Sequence, residues 1–251
     1  MELRGLTAVV TGGGSGLGAA TAKHLTGQGA FVTILDRDNH TGEALAKEIG
    51  ALFAQCDVTD FRSVQSALTA SAAERGVARI LVSCAGIAGM APMIGPDSSP
   101  HSLELFRHIL EVNLVGTFNV MSQFAAALSR LPPVGEERGV IINTASIAAF
   151  DGIAGQTAYA ASKSGIAGMT LPVSRDLSHH LIRLVTLAPG TFRSPMVEGL
   201  SDDYAKAIAA AVPHPSRFGE PEEFAHMVEC VIVNPMLNGT TIRLDGAARL
   251  S

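Results

Sequence analysis

A chain of 251 residues, 47% hydrophobic and 16% charged, is long enough for one large α/β domain. Its net charge of −5 argues against a nucleic-acid-binding protein, which usually has an excess of basic residues. The chain also has no polybasic run that could bind a membrane surface. Its three cysteines stand far apart, which argues against a disulfide framework and for a reducing compartment. Because the first residues lead directly into an apolar run, we expect no targeting segment, no membrane span and a cytoplasmic location.

Seven short apolar runs alternate along the chain with longer amphipathic segments. The runs predict strands over residues 6–11, 30–36, 51–55, 79–83, 140–144, 183–188 and 240–244. Helical spacing covers residues 17–28, 41–49, 60–75, 101–130, 156–178 and 220–233. This alternation predicts one doubly wound domain, residues 1–251, with a seven-stranded parallel sheet and helices on both faces. Residues 1–140 would form its nucleotide-binding half and residues 141–251 its catalytic and substrate-loop half.

A glycine-rich turn follows the first predicted strand and opens the first helix. Gly12, Gly16 and Gly18 fit the pattern T-G-x-x-x-G-x-G, with Ser15 and Leu17 between them. Glycines permit a tight turn and let the backbone approach a pyrophosphate, which the free N–H groups of the helix terminus can bind. Its place between strand and helix makes this turn a candidate dinucleotide site.

An acidic residue ends the second predicted strand. Asp36 lies about 20 residues beyond the glycine turn, where a carboxylate can accept hydrogen bonds from ribose hydroxyls. A carboxylate there repels a 2′-phosphate, so the sequence favours NAD over NADP, although the adjacent Arg37 could soften that preference.

The ends of the third and fourth predicted strands also carry candidate cofactor contacts. After the third, Asp57 could make a polar contact to the adenine amine and Val58 could pack against the ring. After the fourth, the small residues Cys84, Ala85 and Gly86 would let the backbone lie close to the cofactor.

Tyr159 and Lys163 stand four residues apart in a helical segment, so both side chains lie on one face. A neighbouring ammonium lowers the pKa of a phenol, ordinarily about 10, so that the phenolate can take a proton from a substrate hydroxyl. Ser146 could hold the substrate oxygen against the phenol. Asn113, inside a predicted helix, could hold a water that links Lys163 to solvent.

Competing chemistries find little support. The eight histidines show no metal-ligand spacing, and no G-x-S-x-G turn or histidine partner makes Ser146 a hydrolase nucleophile. The chain has two tyrosines, Tyr159 and Tyr204, and one of them has serine and lysine at the required offsets.

Together these residues resemble the classical short-chain dehydrogenase/reductase family over essentially the whole chain. The resemblance implies a tetrad of Asn113, Ser146, Tyr159 and Lys163 and hydride transfer to a nicotinamide cofactor. It also implies contacts from Pro189, Gly190 and Thr191, the last to the carboxamide. The family usually has Asn where this chain has Ser83, and we expect a local change of hydrogen bonding without loss of activity.

Within that family, four segments resemble the type 2 3-hydroxyacyl-CoA dehydrogenases, which also act on hydroxysteroids. They are RGVIINTASIAAFDG, YAASKSGIAGMTLPVSRDL, VPHPSRFGEPEEFAHMV and NPMLNGTTIRLDGAAR. The resemblance implies NAD, a homotetramer and an acyl-CoA or steroid-like alcohol or ketone as substrate. Ile153, where some members carry Gln, and the nearby Gln156 are candidate substrate contacts, and residues 195–217 a candidate substrate lid.

Two alternatives stay open at this point. One is a 3-oxoacyl-carrier-protein reductase that uses NADPH, against which Asp36 speaks. The other is a dinucleotide-binding scaffold without catalysis, which would have no need of all four residues of the tetrad.

Overall fold

The computed structural model describes residues 1–197, 199 and 201–249, without the side chains of Met196, Asp202 and Tyr204. Its centre is one sheet of seven parallel strands in the order β3-β2-β1-β4-β5-β6-β7. The strands are β1 (Thr7–Thr11), β2 (Phe31–Asp36), β3 (Leu52–Gln55), β4 (Ile80–Ser83), β5 (Gly139–Thr144), β6 (Ile182–Pro189) and β7 (Thr241–Leu244).

Helices cover both faces of this sheet. They are α1 (Gly16–Gly27), α2 (Asn39–Ile49), α3 (Phe61–Arg75), α4 (Leu103–Leu110), α5 (Gly116–Leu128), α6 (Thr157–Ser178), α7 (Asp202–Ala210) and α8 (Pro221–Val233). One core cluster joins α1, α2 and α8 to the sheet, and a second joins α3, α5 and α6 to its other face. The predicted doubly wound fold is therefore confirmed.

The central strands are mainly apolar because both of their sides are covered. In β1, Val10 packs into one core cluster and Val9 into the other, and both are fully buried. A strand covered on both sides has no solvent face and shows no polar alternation.

The structure departs from the prediction at the long helical segment over residues 101–130. This segment is two helices, α4 and α5, joined by a π-helical turn over Glu111–Val115. The wider turn holds Asn113, and such turns commonly occur at functional sites.

The strand order reverses between β1 and β4, which are neighbours although β2 and β3 lie between them in the chain. In open parallel sheets, ligands bind beyond the carboxyl ends of the strands at such a reversal. The fold thus brings the turns after β1, β4 and β5 to one edge of the sheet.

Within the described part of the chain, no helix combines the length and apolarity that a bilayer crossing requires.

Candidate active site

A cavity of about 810 Å³ opens at the carboxyl edge of the sheet. Its volume lies within the range of roughly 300–1,000 Å³ usual for ligand sites. All the predicted site residues except Asn113 line it: Gly12, Ser15, Gly16, Leu17, Gly18, Asp36, Arg37, Asp57, Val58, Cys84, Ala85, Gly86, Ser146, Ile153, Gln156, Tyr159, Lys163, Pro189, Gly190 and Thr191.

The glycine turn packs so tightly that side chains could not replace its hydrogens. A Cβ on Gly18 would lie 2.1 Å from the carbonyl oxygen of Gly12. Gly12 itself has a φ of +61°, and a Cβ there would lie 2.7 Å from the backbone nitrogen of Ala85. The N-cap residue Ser15 makes no side-chain cap, so the first-turn N–H groups of α1 are available to an anion in the cavity. This cradle fits the pyrophosphate of a dinucleotide.

Asp36 lies beside that turn, at the end of β2. Its Oδ2 accepts a hydrogen bond from the Gly14 N–H at 2.9 Å, and its Oδ1 accepts one from the Asp38 N–H at 3.0 Å. These bonds fix the carboxylate and leave lone pairs for further donors. The Arg37 side chain is exposed next to it.

Asp57 and Val58 follow β3 on the same side of the cavity. The Asp57 Oδ1 accepts hydrogen bonds from the N–H and the hydroxyl of Thr59, which hold the pKa of this carboxyl below its usual value. Val58 is largely buried and its carbonyl accepts a hydrogen bond from the Asn119 side chain. Both residues are therefore rigidly placed.

Tyr159, Lys163 and Ser146 meet at the other end of the cavity. The Lys163 Nζ donates to the carbonyl of Thr144, the last residue of β5, at 2.9 Å, and lies 5.7 Å from the centroid of the Tyr159 ring. Ser146 caps a short 3₁₀ turn (Ile147–Ala149) and accepts a hydrogen bond from the Ala148 N–H at 3.1 Å. The structure brings together the three side chains that the sequence placed at offsets of 13 and 4 residues.

Burial shifts the acid–base behaviour of this group. It raises the pKa of the Tyr159 phenol, while a hydrogen bond with the Ser146 side chain works in the opposite direction. Burial lowers the pKa of the Lys163 ammonium to about 8. It also raises the pKa of the Cys84 thiol to about 11, so that this thiol is a neutral neighbour of Lys163.

Asn113 is fully buried behind the cavity wall. Its Oδ1 accepts from the Ile87 N–H at 2.8 Å, and its Nδ2 donates to the Ile87 carbonyl at 2.9 Å and to the Ser162 hydroxyl at 3.1 Å. A Cβ on Gly86 would lie 3.1 Å from this Oδ1 and 3.5 Å from the Lys163 Nζ, so the two side chains are close. The water that we expect Asn113 to hold stays a prediction.

The candidate substrate contacts lie just before α6. Ile153 is partly buried, and the Gln156 Oε1 is buried without a hydrogen-bond partner in the described part of the chain. In the predicted lid, Pro195, Val197 and Ile208 line the cavity, whereas residues 198 and 200 lie outside the described residues.

Sequence reasoning missed several residues of this site. Thr144 anchors Lys163, Ser162 joins Asn113 to the Tyr159 carbonyl, and Ile87 is bracketed by Asn113. Only Thr144 carried a usable signal, because it ends a predicted strand at the expected edge. The other missed lining residues are Leu35, Cys56, Ala88, Gly89, Met90, Val112, Ala145, Ile147, Ala148, Phe192 and Ser194.

Comparison with known proteins agrees with this geometry. Residues 6–205 match the family model described as short chain dehydrogenase. The chain belongs to the short-chain dehydrogenase family. It is therefore an oxidoreductase, and a cavity with a glycine turn at one end and Tyr159 and Lys163 at the other suits that chemistry.

Within this family, the chain is similar over nearly its whole length to the following proteins. The rat 3-hydroxyacyl-CoA dehydrogenase type-2 is 50% identical over an alignment of 253 positions, which covers 99% of this chain and 97% of the relative. A crystal structure of the Mycobacterium avium type-2 enzyme superposes with a TM-score of 0.95 at 39% identity, covering 98% and 97% of the two chains. A 3-ketoacyl-(acyl-carrier-protein) reductase from Brucella melitensis, complexed with NADH, gives a TM-score of 0.88 at 28% identity, with 98% of each chain covered.

The burial of Lys163 makes a prediction about stability and pH. Its pKa is about 8 in the folded chain, against an ordinary value of 10.5 for a solvated lysine, so the unfolded chain binds the proton more tightly between these values. Folding is therefore penalised fully below pH 8, and the penalty fades as the pH rises towards 10.5. The variant Lys163→Met lacks this penalty. The difference in free energy of unfolding between the variant and the wild type should therefore fall by roughly 2 to 3 kcal/mol between about pH 7 and about pH 10.

Urea unfolding at both pH values measures this difference. Lys47→Met is the matched control, because Lys47 is exposed on α2 and folding does not desolvate it. An advantage of Lys163→Met that does not vary with pH would contradict a desolvated ammonium.

Proposed function

We propose that this protein is an NAD-dependent dehydrogenase that moves a hydride between a secondary alcohol or ketone and the cofactor. We propose a 3-hydroxyacyl-CoA or a hydroxysteroid as the substrate. The observation that carries the proposal is that Tyr159, Lys163 and Ser146 share one cavity with the glycine turn and Asp36. A proton-transferring group thus faces the same space as a dinucleotide cradle.

Each catalytic side chain has a distinct task in this proposal. A bound nicotinamide dinucleotide supplies the hydride acceptor. Ser146 donates a hydrogen bond to the substrate oxygen, and Tyr159 takes the hydroxyl proton as the carbonyl forms. Burial raises the pKa of Tyr159 and the Ser146 hydrogen bond lowers it. The Lys163 ammonium, held by the Thr144 carbonyl, would favour the phenolate further. Asn113 keeps the wall beside Lys163 in place and connects the departing proton to water.

The cofactor-binding residues divide along the cavity. The turn formed by Gly12, Ser15, Gly16, Leu17 and Gly18 would hold the pyrophosphate. We propose that residues 1–140 form the nucleotide-binding half and residues 141–251 the catalytic and substrate-loop half. The ribose would lie at Asp36 and Arg37, and the adenine at Asp57 and Val58. The nicotinamide side would contact a larger set of residues: Cys84, Ala85, Gly86, Tyr159, Lys163, Pro189, Gly190 and Thr191.

Cofactor choice gives a direct prediction. The fixed carboxylate of Asp36 would accept bonds from ribose hydroxyls and repel a 2′-phosphate, so initial rates should be much higher with NAD than with NADP. Asp36→Ala should narrow that preference by at least about tenfold, mainly by weakening NAD binding. Asp38→Ala is the control, since Asp38 is exposed and caps the next helix. A wild-type preference for NADPH would overturn the assignment.

The substrate end of the cavity supports an apolar substrate with one polar contact. Its lining there is mainly hydrophobic, including Met90, Ile147, Ile153 and Ile208, and Gln156 is a polar side chain beside them. A fatty acyl chain or a steroid skeleton fits such a surface. The names of the type-2 relatives favour the acyl-CoA thioester.

A panel of 3-hydroxyacyl-CoA esters and hydroxysteroids, followed by NADH absorbance, tests this function. We expect turnover of a 3-hydroxyacyl-CoA, a loss of at least about 10³-fold in Tyr159→Phe, and persistent NADH binding by that variant. Ser178→Ala, at the far exposed end of α6, should keep wild-type activity. Equal turnover by Tyr159→Phe and wild type would remove Tyr159 from the mechanism.

Two other functions can be distinguished in the same assay. The likeness to the Brucella reductase favours, as second candidate, reduction of a 3-oxoacyl group on acyl carrier protein. Higher kcat/KM with the carrier-protein substrate and NADPH would establish it. NADH binding without turnover of any alcohol or ketone would indicate a silent dinucleotide-binding scaffold.

We also propose a homotetramer. A groove of about 290 Å³ between α5 and α6 is lined by Phe118, Met121, Ala125, Val173 and Leu177, and Phe118 is half exposed. Such an apolar surface suits a helix pair from a second copy. Light scattering should give about 104 kDa, four times 26.0 kDa, and Phe118→Asp should lower that mass. A wild-type monomer would contradict the proposal.

The cytoplasmic location stays a prediction.

A further inference from the structure

One arginine joins three separate segments at the substrate side of the cavity. Arg243 lies on β7, the edge strand of the sheet. Its Nη2 donates to the Asp151 carboxylate at 2.5 Å and to the Ala248 carbonyl at 3.0 Å, and its Nε donates to the Asp245 carboxylate at 2.6 Å. The planar guanidinium can serve these acceptors together, which a lysine ammonium at the end of a flexible chain cannot do with the same geometry.

Asp151 belongs to the loop that runs from Ser146 to α6. The 3₁₀ turn after Ser146 ends with the N–H groups of Phe150 and Asp151 both donating to the Ile147 carbonyl, at 2.9 Å each. The Arg243 guanidinium also lies over the Phe150 ring, 5.4 Å from its centroid. Ser146 stands at one end of this loop, and Ile153 stands two residues after Asp151; both line the cavity.

Asp245 connects the same arginine to the segment after β6. Its side chain is only 7% exposed. It packs against Gly190, where a Cβ would lie 3.0 Å from the Asp245 Cα, and the Gly190 N–H donates to the Leu244 carbonyl at 2.9 Å. Gly190 lines the cavity after β6. The strand that carries Arg243 therefore also contacts the cavity lining at Gly190.

Ala248 completes the connection beneath the predicted lid. It is buried in a small cluster with Ile147 and Val212, the residue that follows α7 closely in the chain. A Cβ on Gly246 would lie 2.6 Å from a Val212 methyl carbon, so the tail and this segment are in close contact. The loop after Ser146, the end of the lid and the tail thus share one packing unit, and Arg243 is its ionic link.

We propose that Arg243 is a positioning residue, which through Asp151 holds the loop after Ser146 in the geometry that aims the substrate at Tyr159. This inference rests on the proposed dehydrogenase function. Among the described residues that line the cavity, neither Arg243 nor Asp151 is found. Arg243 acts through an ion pair that joins residues 92 positions apart in the chain.

The ion pair between Arg243 and Asp151 keeps both of its charges at neutral pH. The hydrogen bond from Arg243 lowers the pKa of the Asp151 carboxyl, so Asp151 stays ionised at neutral pH. Both side chains are about one-fifth to one-quarter exposed, which screens the pair less than a fully exposed one.

The test compares Asp151→Asn, Arg243→Met and Arg243→Lys with the double variant Asp151→Asn/Arg243→Met. We expect each of the first two to lower kcat/KM for the alcohol by roughly 10- to 100-fold, because small misplacements of a substrate-positioning group have effects of this size. The NADH Kd of Asp151→Asn should stay within about twofold of wild type. The double variant should be no worse than Arg243→Met, and Arg243→Lys should recover part of the loss.

Two controls separate positioning from stability. Lys23→Met breaks an exposed ion pair between α1 and α2, and Val228→Ala removes methyl groups from the core at α8, at a residue that does not line the cavity. Neither should lower kcat/KM, although Val228→Ala lowers the Tm. If Asp151→Asn and Val228→Ala changed Tm and kcat/KM in parallel, the role of the pair would be merely structural and the proposal would be overturned.

Hydrogen exchange measured by mass spectrometry supplies a readout that does not depend on turnover. Asp151→Asn should increase exchange at the amides of residues 147–153 but not at those of β1. Unchanged exchange over residues 147–153 would overturn the positioning role even in an active enzyme. Faster exchange in a protein whose wild type turns over no alcohol would uphold the link to the loop and reject the proposed function.

Discussion

The burial of the Lys163 ammonium is the constraint on which the site depends. A buried cation is costly unless it has a fixed acceptor, and the Thr144 carbonyl at the end of β5 provides one at 2.9 Å. That bond ties α6 to the central sheet and thereby fixes Tyr159, one helical turn earlier on the same face. Gly86 lies close to the amine, because a Cβ there would approach Nζ to 3.5 Å. The end of β5, helix α6 and the segment after β4 thus meet around one charged group.

The same edge of the sheet imposes a second constraint at the dinucleotide end. The Gly12 turn passes so close to the start of α1 and to the segment after β4 that backbone atoms take the space of side chains. Close approach here lets Asp36 bond the Gly14 N–H and hold the turn from the side of β2. The glycine turn and the Tyr159–Lys163 pair are therefore both anchored at the ends of the neighbouring strands β1, β4 and β5.

Much of this could be predicted from the sequence because the relevant signals are local. Tyr159 and Lys163 are four residues apart on one helix, and Gly12 and Gly18 lie within one turn. The partners that sequence reasoning missed are distant: Ser162 meets Asn113 across 49 residues, and Arg243 meets Asp151 across 92. Spacing carries no information about such pairs. The π-helical turn at Asn113 is not visible in the sequence either, because the buried positions 109, 113, 116, 117 and 120 keep the spacing of one continuous helix.

Ser83, where the family usually has Asn, lies at the end of β4 just before the cavity lining. Ser83 pairs in register with Asn143 of β5, and the Ser83 Oγ and the Asn143 Oδ1 are both buried without a partner in the described part of the chain. Each such group costs about 1 to 3 kcal/mol. The cavity wall just beyond has its own anchors, since Thr11 Oγ1 accepts from the Ala85 N–H at 3.2 Å and Asn113 brackets Ile87. The two unpartnered groups therefore lie within the sheet, while the backbone after β4 is held by hydrogen bonds with Thr11 and Asn113.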